Sequence, residues 1–166
     1  MDMEIQIRLR NLNINDEGVD EVLAEQFDEE FFVSTGVDVI MSIYADEGKI
    51  ADQTVEVARR LEHSFPHIEI IGIDFDFVSV ADIAKRTGVG REGARKWTSR
   101  EGFPYARAHI DSTNMDLWVW TEVVDWLKSQ RGIDTDETLP TYVQMVEIEG
   151  FLQQSLSACR YDSTAA

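Results

Sequence analysis

The sequence predicts an α+β fold: a mixed strand and helix region, a helix-rich region after it, and a last helix. Three observations carry this. Three stretches within the first 77 residues alternate apolar and polar side chains with the period of two that a half-buried strand requires. The segments between them repeat their apolar residues at helical intervals. Beyond Phe77 the alternation gives way to helix caps, basic side chains and tryptophans.

The first strand is "EIQIRLR", with Ile5, Ile7 and Leu9 on one face. A loop, "NLNINDEG", leads to a helix that spaces Val19, Val22, Leu23 and Phe27. Two strands joined near "STG" follow as a hairpin, and Val39, Met41 and Ile43 alternate in the second. Ile50, Val55, Ala58, Leu61 and Phe65 line the next helix, which Pro66 stops. A strand over 67–80 turns Ile68, Ile70, Ile73, Phe75 and Phe77 inward. Strand, helix, strand, strand, helix, strand is the order of a ferredoxin-like βαββαβ domain, here residues 1–77. Residues 78–132 form the second region, closing with a strand-like "LWVW" and a helix that Thr121 caps and Gly132 ends, with Val123, Val124, Trp126 and Leu127 buried. Over 133–160 a polar link precedes a helix whose stripe is Tyr142, Met145, Val146, Leu152 and Leu156. That stripe serves either homodimerisation or packing on its own chain, and the sequence leaves both open. The tail "YDSTAA" reads as disordered.

Charge divides the chain as well. The 166 residues sum to −17, yet Ser79 to His109 holds seven basic side chains against three acids. The rest carries 8 basic and 29 acidic residues. An acidic total of this size opposes contact with phosphate polymers or anionic lipid, so any nucleic-acid surface is confined to the basic window. No cationic segment leads into an apolar one at the start, and no apolar run nears the roughly 20 residues that span a bilayer. Together with the single Cys159, these features predict a soluble cytoplasmic protein without membrane contact.

The basic window reads as a helix-turn-helix. Ser79 caps a first helix with Asp82 three residues on, Ile83 supplies a core contact, and Ala84 is small where the helices cross. Gly88 takes the left-handed conformation that ends the first helix, and Val89 plugs the corner. Ala94 and Trp97 point the second helix inward, which turns Arg91, Glu92, Arg95, Lys96 and Ser99 outward as candidate base-reading residues. In the major groove an arginine grips guanine O6 and N7, and a glutamate accepts from cytosine N4. Lys85, Arg86, Arg100 and Arg107 are the candidates for phosphate contact. Gly93 stands out, because glycine in an exposed helix costs about 1 kcal/mol relative to alanine. Close approach of the backbone to DNA would explain it. Trp97, Trp118, Trp120 and Trp126 are expected in the core rather than as base-stacking platforms.

"SVADIAKRTGVGREGARKWTSREGFPYARA" followed by "LWVWTEVVDWL" resembles the helix-turn-helix of the MerR and excisionase (AlpA-like) superfamily. The likeness spans about 50 residues, Val78 to Lys128. It implies a winged helix-turn-helix that holds the major groove through Arg91 to Arg100 and the minor groove or backbone through a β-hairpin wing. The wing here departs from the pattern, with Asp111 and Asp116 where such sequences often carry Arg and Gly.

No catalytic, metal or cofactor constellation is read. His63 and His67 are four apart, but Pro66 breaks the helix between them. Asp74 and Asp76 are expected to face solvent beside inward Phe75 and Phe77. The sequence therefore points to a non-enzymatic, sequence-specific double-stranded DNA-binding regulator, autoregulatory in one form, with an excisionase-like architectural protein as a variant. A different class is an antitoxin-like or anti-defence interaction protein whose acidic first domain binds a basic partner. Asp16, Glu17, Asp20, Glu21, Glu25, Asp28, Glu29 and Glu30 motivate that reading.

Overall fold

The computed structural model describes residues 2–164, with side chains as far as Leu156. The chain is mixed α+β with two antiparallel sheets, and it forms two compact units. One unit combines Met1–Asp74 with Thr138–Ala166, and the other is Phe75–Glu137.

The first unit runs β1 (Met3–Arg10), α1 (Glu17–Gln26), β2 (Phe31–Ser34), β3 (Val39–Ala45), α2 (Ile50–Ser64) and β4 (Glu69–Ile73). Its sheet is ordered β2-β3-β1-β4. Ile5, Ile7 and Leu9 lie opposite Ile43, Met41 and Val39, so the alternating apolar residues of both strands share one buried face. Leu23 and Phe27 of α1 with Ile50, Val57, Ala58 and Leu61 of α2 complete that core. Asp16 starts α1 by accepting from the Gly18 and Val19 amides. On the other face, Arg8 and Arg10 both donate to Asp38, at 2.9 and 2.8 Å, and hold its carboxyl below the usual range, Arg10 contributing most.

The last helix belongs to this unit. Helix α6 (Tyr142–Thr164) packs on α2 and β4 through Met145, Ile148, Leu152 and Leu156. Val146, expected inside, is 46% exposed, because the buried face follows Ile148 instead. The helix continues to Thr164 through the segment read as disordered, while Ala165, Ala166 and the side chain of Cys159 lie outside what is described.

The strand expected over 67–80 is two strands, and a helix begins before its end, at Val80. It breaks at Asp76, whose φ of 54° is left-handed, and β5 (Phe77–Val78) then pairs with β7 (Met115–Val119) of the second unit. The break shifts the alternation by one, so Val78 is buried and Phe77 is 47% exposed rather than inward. The boundary thus falls between Asp74 and Phe75, and residues 138 onward return to the first unit. Besides these strands the second unit holds α3 (Val80–Thr87), α4 (Arg91–Thr98), β6 (Ala108–Ile110) and α5 (Trp120–Arg131). The N-cap of α5 is Val119, not Thr121, and no side chain caps it. Gly132 closes α5 at φ 64° as expected.

Charge follows the division. The first unit carries 21 acidic and 6 basic side chains, a formal −15, and the second 11 and 9, a formal −2. No helix among the described residues is long and apolar enough to cross a membrane.

Candidate nucleic-acid interface

The two helices of the basic window owe their placement to local chemistry. Ser79 has extended backbone and caps α3: its Oγ accepts from the Asp82 amide, while the Asp82 carboxylate accepts from the Ser79 amide at 2.9 Å and its hydroxyl at 2.8 Å. Those bonds, led by the backbone one, hold the Asp82 carboxyl below its ordinary range. Gly88 ends α3 at φ 72°, a conformation that a side chain disfavours. Gly90 opens α4 without a side-chain cap.

What α4 shows to solvent is decided by what it buries. Ala94 is 0% and Trp97 5% exposed, and Ile83 of α3 is also fully buried. Trp97 and Phe103 both pack on Trp126, with ring centres 6.0 and 4.9 Å away, and Phe103 meets Trp118 edge to face. All four tryptophans are core residues, as expected. A helix of 3.6 residues per turn that buries positions 94 and 97 must present 91, 92, 95 and 96 on the other side. Arg91, Glu92, Arg95 and Lys96 are exposed there, with Ser99 just beyond the helix as its C-cap.

This face is not uniformly cationic. Arg95 and Glu92 form a two-bond pair at 2.7 and 3.2 Å, which lowers the glutamate and raises the arginine pKa. Arg91 and Lys96 have no ion-pair partner among the described residues. The four expected phosphate contacts also divide. Lys85 and Arg100 are exposed and without an ion pair among the described residues. Arg86 is held by both oxygens of Asp76, at 2.6 and 2.8 Å, with its guanidinium 4.8 Å from the Trp120 ring centre. Arg107 likewise takes both oxygens of Glu122, each at 2.9 Å. Asp76 is therefore no free surface carboxylate, and neither is Asp74, which accepts from Arg8 at 3.3 Å.

Beside the helices, β6 and β7 form a hairpin whose tip passes through a 3-10 turn over Asp111–Thr113. No Lys or Arg occurs from Ala108 to Val119, and His109 contacts Asp116 at 2.8 Å and Asp111 at 3.5 Å. The hairpin therefore offers phosphates no lysine or arginine side chain. Tyr105, which the sequence analysis passed over, is 90% exposed on the connection from α4 to β6. The neighbouring Pro104 is fixed by its carbonyl, which accepts from Trp118 Nε1 at 3.1 Å. The only signal in the sequence was an aromatic directly after "FP".

Gly93 has a packing reason. Val89 fills the space beside it, so the glycine needs no DNA to explain it. Elsewhere α2 ends at Ser64, which leaves His67 in the turn beyond the helix that carries His63, and no group of three metal-ligating side chains occurs among the described residues. No protein-family model, curated protein or solved structure matches the chain. The geometry of the face is thus what an assignment has to rest on.

Proposed function

We propose that the chain is a sequence-specific double-stranded DNA-binding protein, a transcriptional regulator of winged helix-turn-helix type joined to a ferredoxin-like domain. The observation that carries this is the outward face of α4, where Arg91, Arg95, Lys96 and Glu92 stand opposite the buried Ala94 and Trp97. An α-helix with its side chains is about 10–12 Å across, a fit to the roughly 12 Å width of the major groove. Arg91 at its first turn has the position from which recognition helices touch base edges. Lys85 and Arg100 supply phosphate contacts. Glu92 serves two ends, since it orients Arg95 and disfavours phosphate in its place. The resemblance to MerR and excisionase-type sequences supports the same reading, whereas the acidic wing tip turns it toward a reader that relies on α4. Autoregulation, action as a homodimer on paired half-sites, and an excisionase-like bending role are forms of this proposal.

The test is selection from a pool of random duplexes at two salt concentrations, with wild type against Arg91→Ala/Arg95→Ala. Enrichment of one sequence that the double variant loses supports specific reading. Weak binding that salt abolishes equally for both proteins defeats it.

A second reading is favoured by one observation, the −15 of the first unit against −2 for the second. Under it, the acidic unit is a docking module for a basic protein, and the α4 face serves autoregulation.

A further inference from the structure

The two edges of the four-stranded sheet are treated differently. At β4, the Ile73 amide donates to the Glu149 carboxylate at 2.6 Å and the Ile71 carbonyl accepts from Gln153 Nε2 at 2.9 Å. Helix α6 thereby occupies two of the outward backbone groups of that edge. At the other end β2 has β3 on one side and no described strand on the other.

Register shows which groups β2 leaves unused. The Thr35 amide donates to the Asp38 carbonyl at 2.8 Å and closes the hairpin. Antiparallel ladders alternate, so Val33 and Phe31 exchange hydrogen bonds with Ile40 and Ser42, while the backbone groups of Phe32 and Ser34 point to the free side. Beside them Phe31 is 66%, Val33 62% and Val37 78% exposed, and the Phe31 ring rests edge-on against exposed Tyr44. Edges are usually blunted by lysine, proline, a bulge or an inward charge, yet "FFVS" has none of these. Exposed carboxylates gather at one end only, because Asp38 at the other is buried and taken by Arg8 and Arg10. Asp28 and Glu29 are exposed just before the strand, Glu30 is turned inward to Arg60, and Thr35 to Val37 at the other end are uncharged.

We infer that the outer edge of β2 is the docking strand for an extended basic segment of a partner protein, which adds to the sheet as a fifth strand. Its alternate apolar side chains pack on Phe31 and Val33, and its Lys or Arg residues lie toward Asp28 and Glu29. This inference rests on the second reading above and gives it a surface. A second copy is the poorer occupant, because edge pairing would bring together two units of −15 each.

The probe is a fluorescent peptide of alternating valine and threonine with three lysines at one end, made in both polarities, beside a counterpart with glutamates in place of lysines. The full chain and Ser34→Pro are titrated, and amide exchange is followed. Proline at 34 removes an outward N–H and no ladder bond, and protection at Ile5 and Ile7 reports that the sheet is intact. The lysine peptide is expected to bind at least about tenfold more tightly than the glutamate one, to protect the Phe32 and Ser34 amides, and to lose roughly tenfold on Ser34→Pro. Binding that leaves those amides unprotected and ignores the proline overturns the edge while the acidic-module reading stands. No binding of either peptide overturns both. Protection of the same amides by self-association, without peptide, assigns the edge to a second copy and overturns the inference.

Discussion

Val89 lies so close to Gly93 that a Cβ at position 93 would come within 2.6 Å of the Val89 Cγ1 atom. The residue that fills the corner between α3 and α4 thus dictates a glycine in the first turn of α4. Glycine costs the helix about 1 kcal/mol relative to alanine, whereas forcing a methyl into a packed contact costs about 1–3 kcal/mol. Gly93→Ala should therefore destabilise the chain by up to about 2 kcal/mol, and by less or not at all in a Val89→Ala background. Urea denaturation of the four proteins of this cycle reads the coupling. A Gly93→Ala protein of unchanged stability but weakened DNA binding would return the glycine to the role of a close DNA approach.

The cap of α3 makes stability depend on pH. Asp82 has its pKa lowered in the fold, so its contribution is present above the unfolded value near 3.8 and is lost as pH falls through the folded value. Ser79→Ala removes the hydroxyl bonds of the cap, while the residue-79 amide, the largest cause of the shift, stays in place, and it should cost about 1 kcal/mol at pH 7. Below pH 3.8 the difference between wild type and Ser79→Ala should narrow, as the protonated Asp82 gives up its bonds. Denaturation at pH 7 and again below pH 3.8 checks this, and an equal difference at both would mean that the hydroxyl's bond to the carboxylate contributes nothing to the cap.

The arginines of the basic window should separate into two kinds. Each phosphate contact contributes close to one unit to the slope of log affinity against log salt, so Lys85→Ala and Arg100→Ala should each reduce that slope by about 1. Arg86 is committed to Asp76 and Trp120, so Arg86→Ala should leave the slope alone and lower stability by about 1 kcal/mol instead, a figure kept small by its partial exposure. A reduced slope with unchanged stability for Arg86→Ala would contradict its assignment as an internal strut.

These arginines also mark how far the sequence could be read. The cap at Ser79, the turn at Gly88 and the inward Ala94 and Trp97 are separated by a few residues each, and local spacing decides them. The commitments of Arg86 and Arg107 depend on carboxylates 10 and 15 positions away, which local spacing does not connect. Phe77 turned outward for a similar reason: the left-handed Asp76 shifts the alternation by one, and no periodicity rule anticipates a single aspartate in that conformation. The strand and helix order of the first unit was legible throughout, whereas the return of α6 to that unit rests on Glu149 and Ile73, 76 residues apart.

That return turns on Gly72. Its φ of 148° suits glycine, and the Glu149 carboxylate and Gln153 amide occupy the place a side chain would take. Alanine at 72 would strain the backbone and also push Glu149 from the Ile73 amide, leaving a donor without its acceptor beside β4. The cost should be about 2 kcal/mol or more. Glu149→Ala removes the acceptor without backbone strain and should cost less, about 1–2 kcal/mol. Both should raise exchange at the Ile73 amide, while Ile83 and Ala94 in the other unit stay protected. Equal loss of protection in both units would mean that the chain unfolds as a whole, and that Glu149 does not act locally as the clasp between α6 and β4.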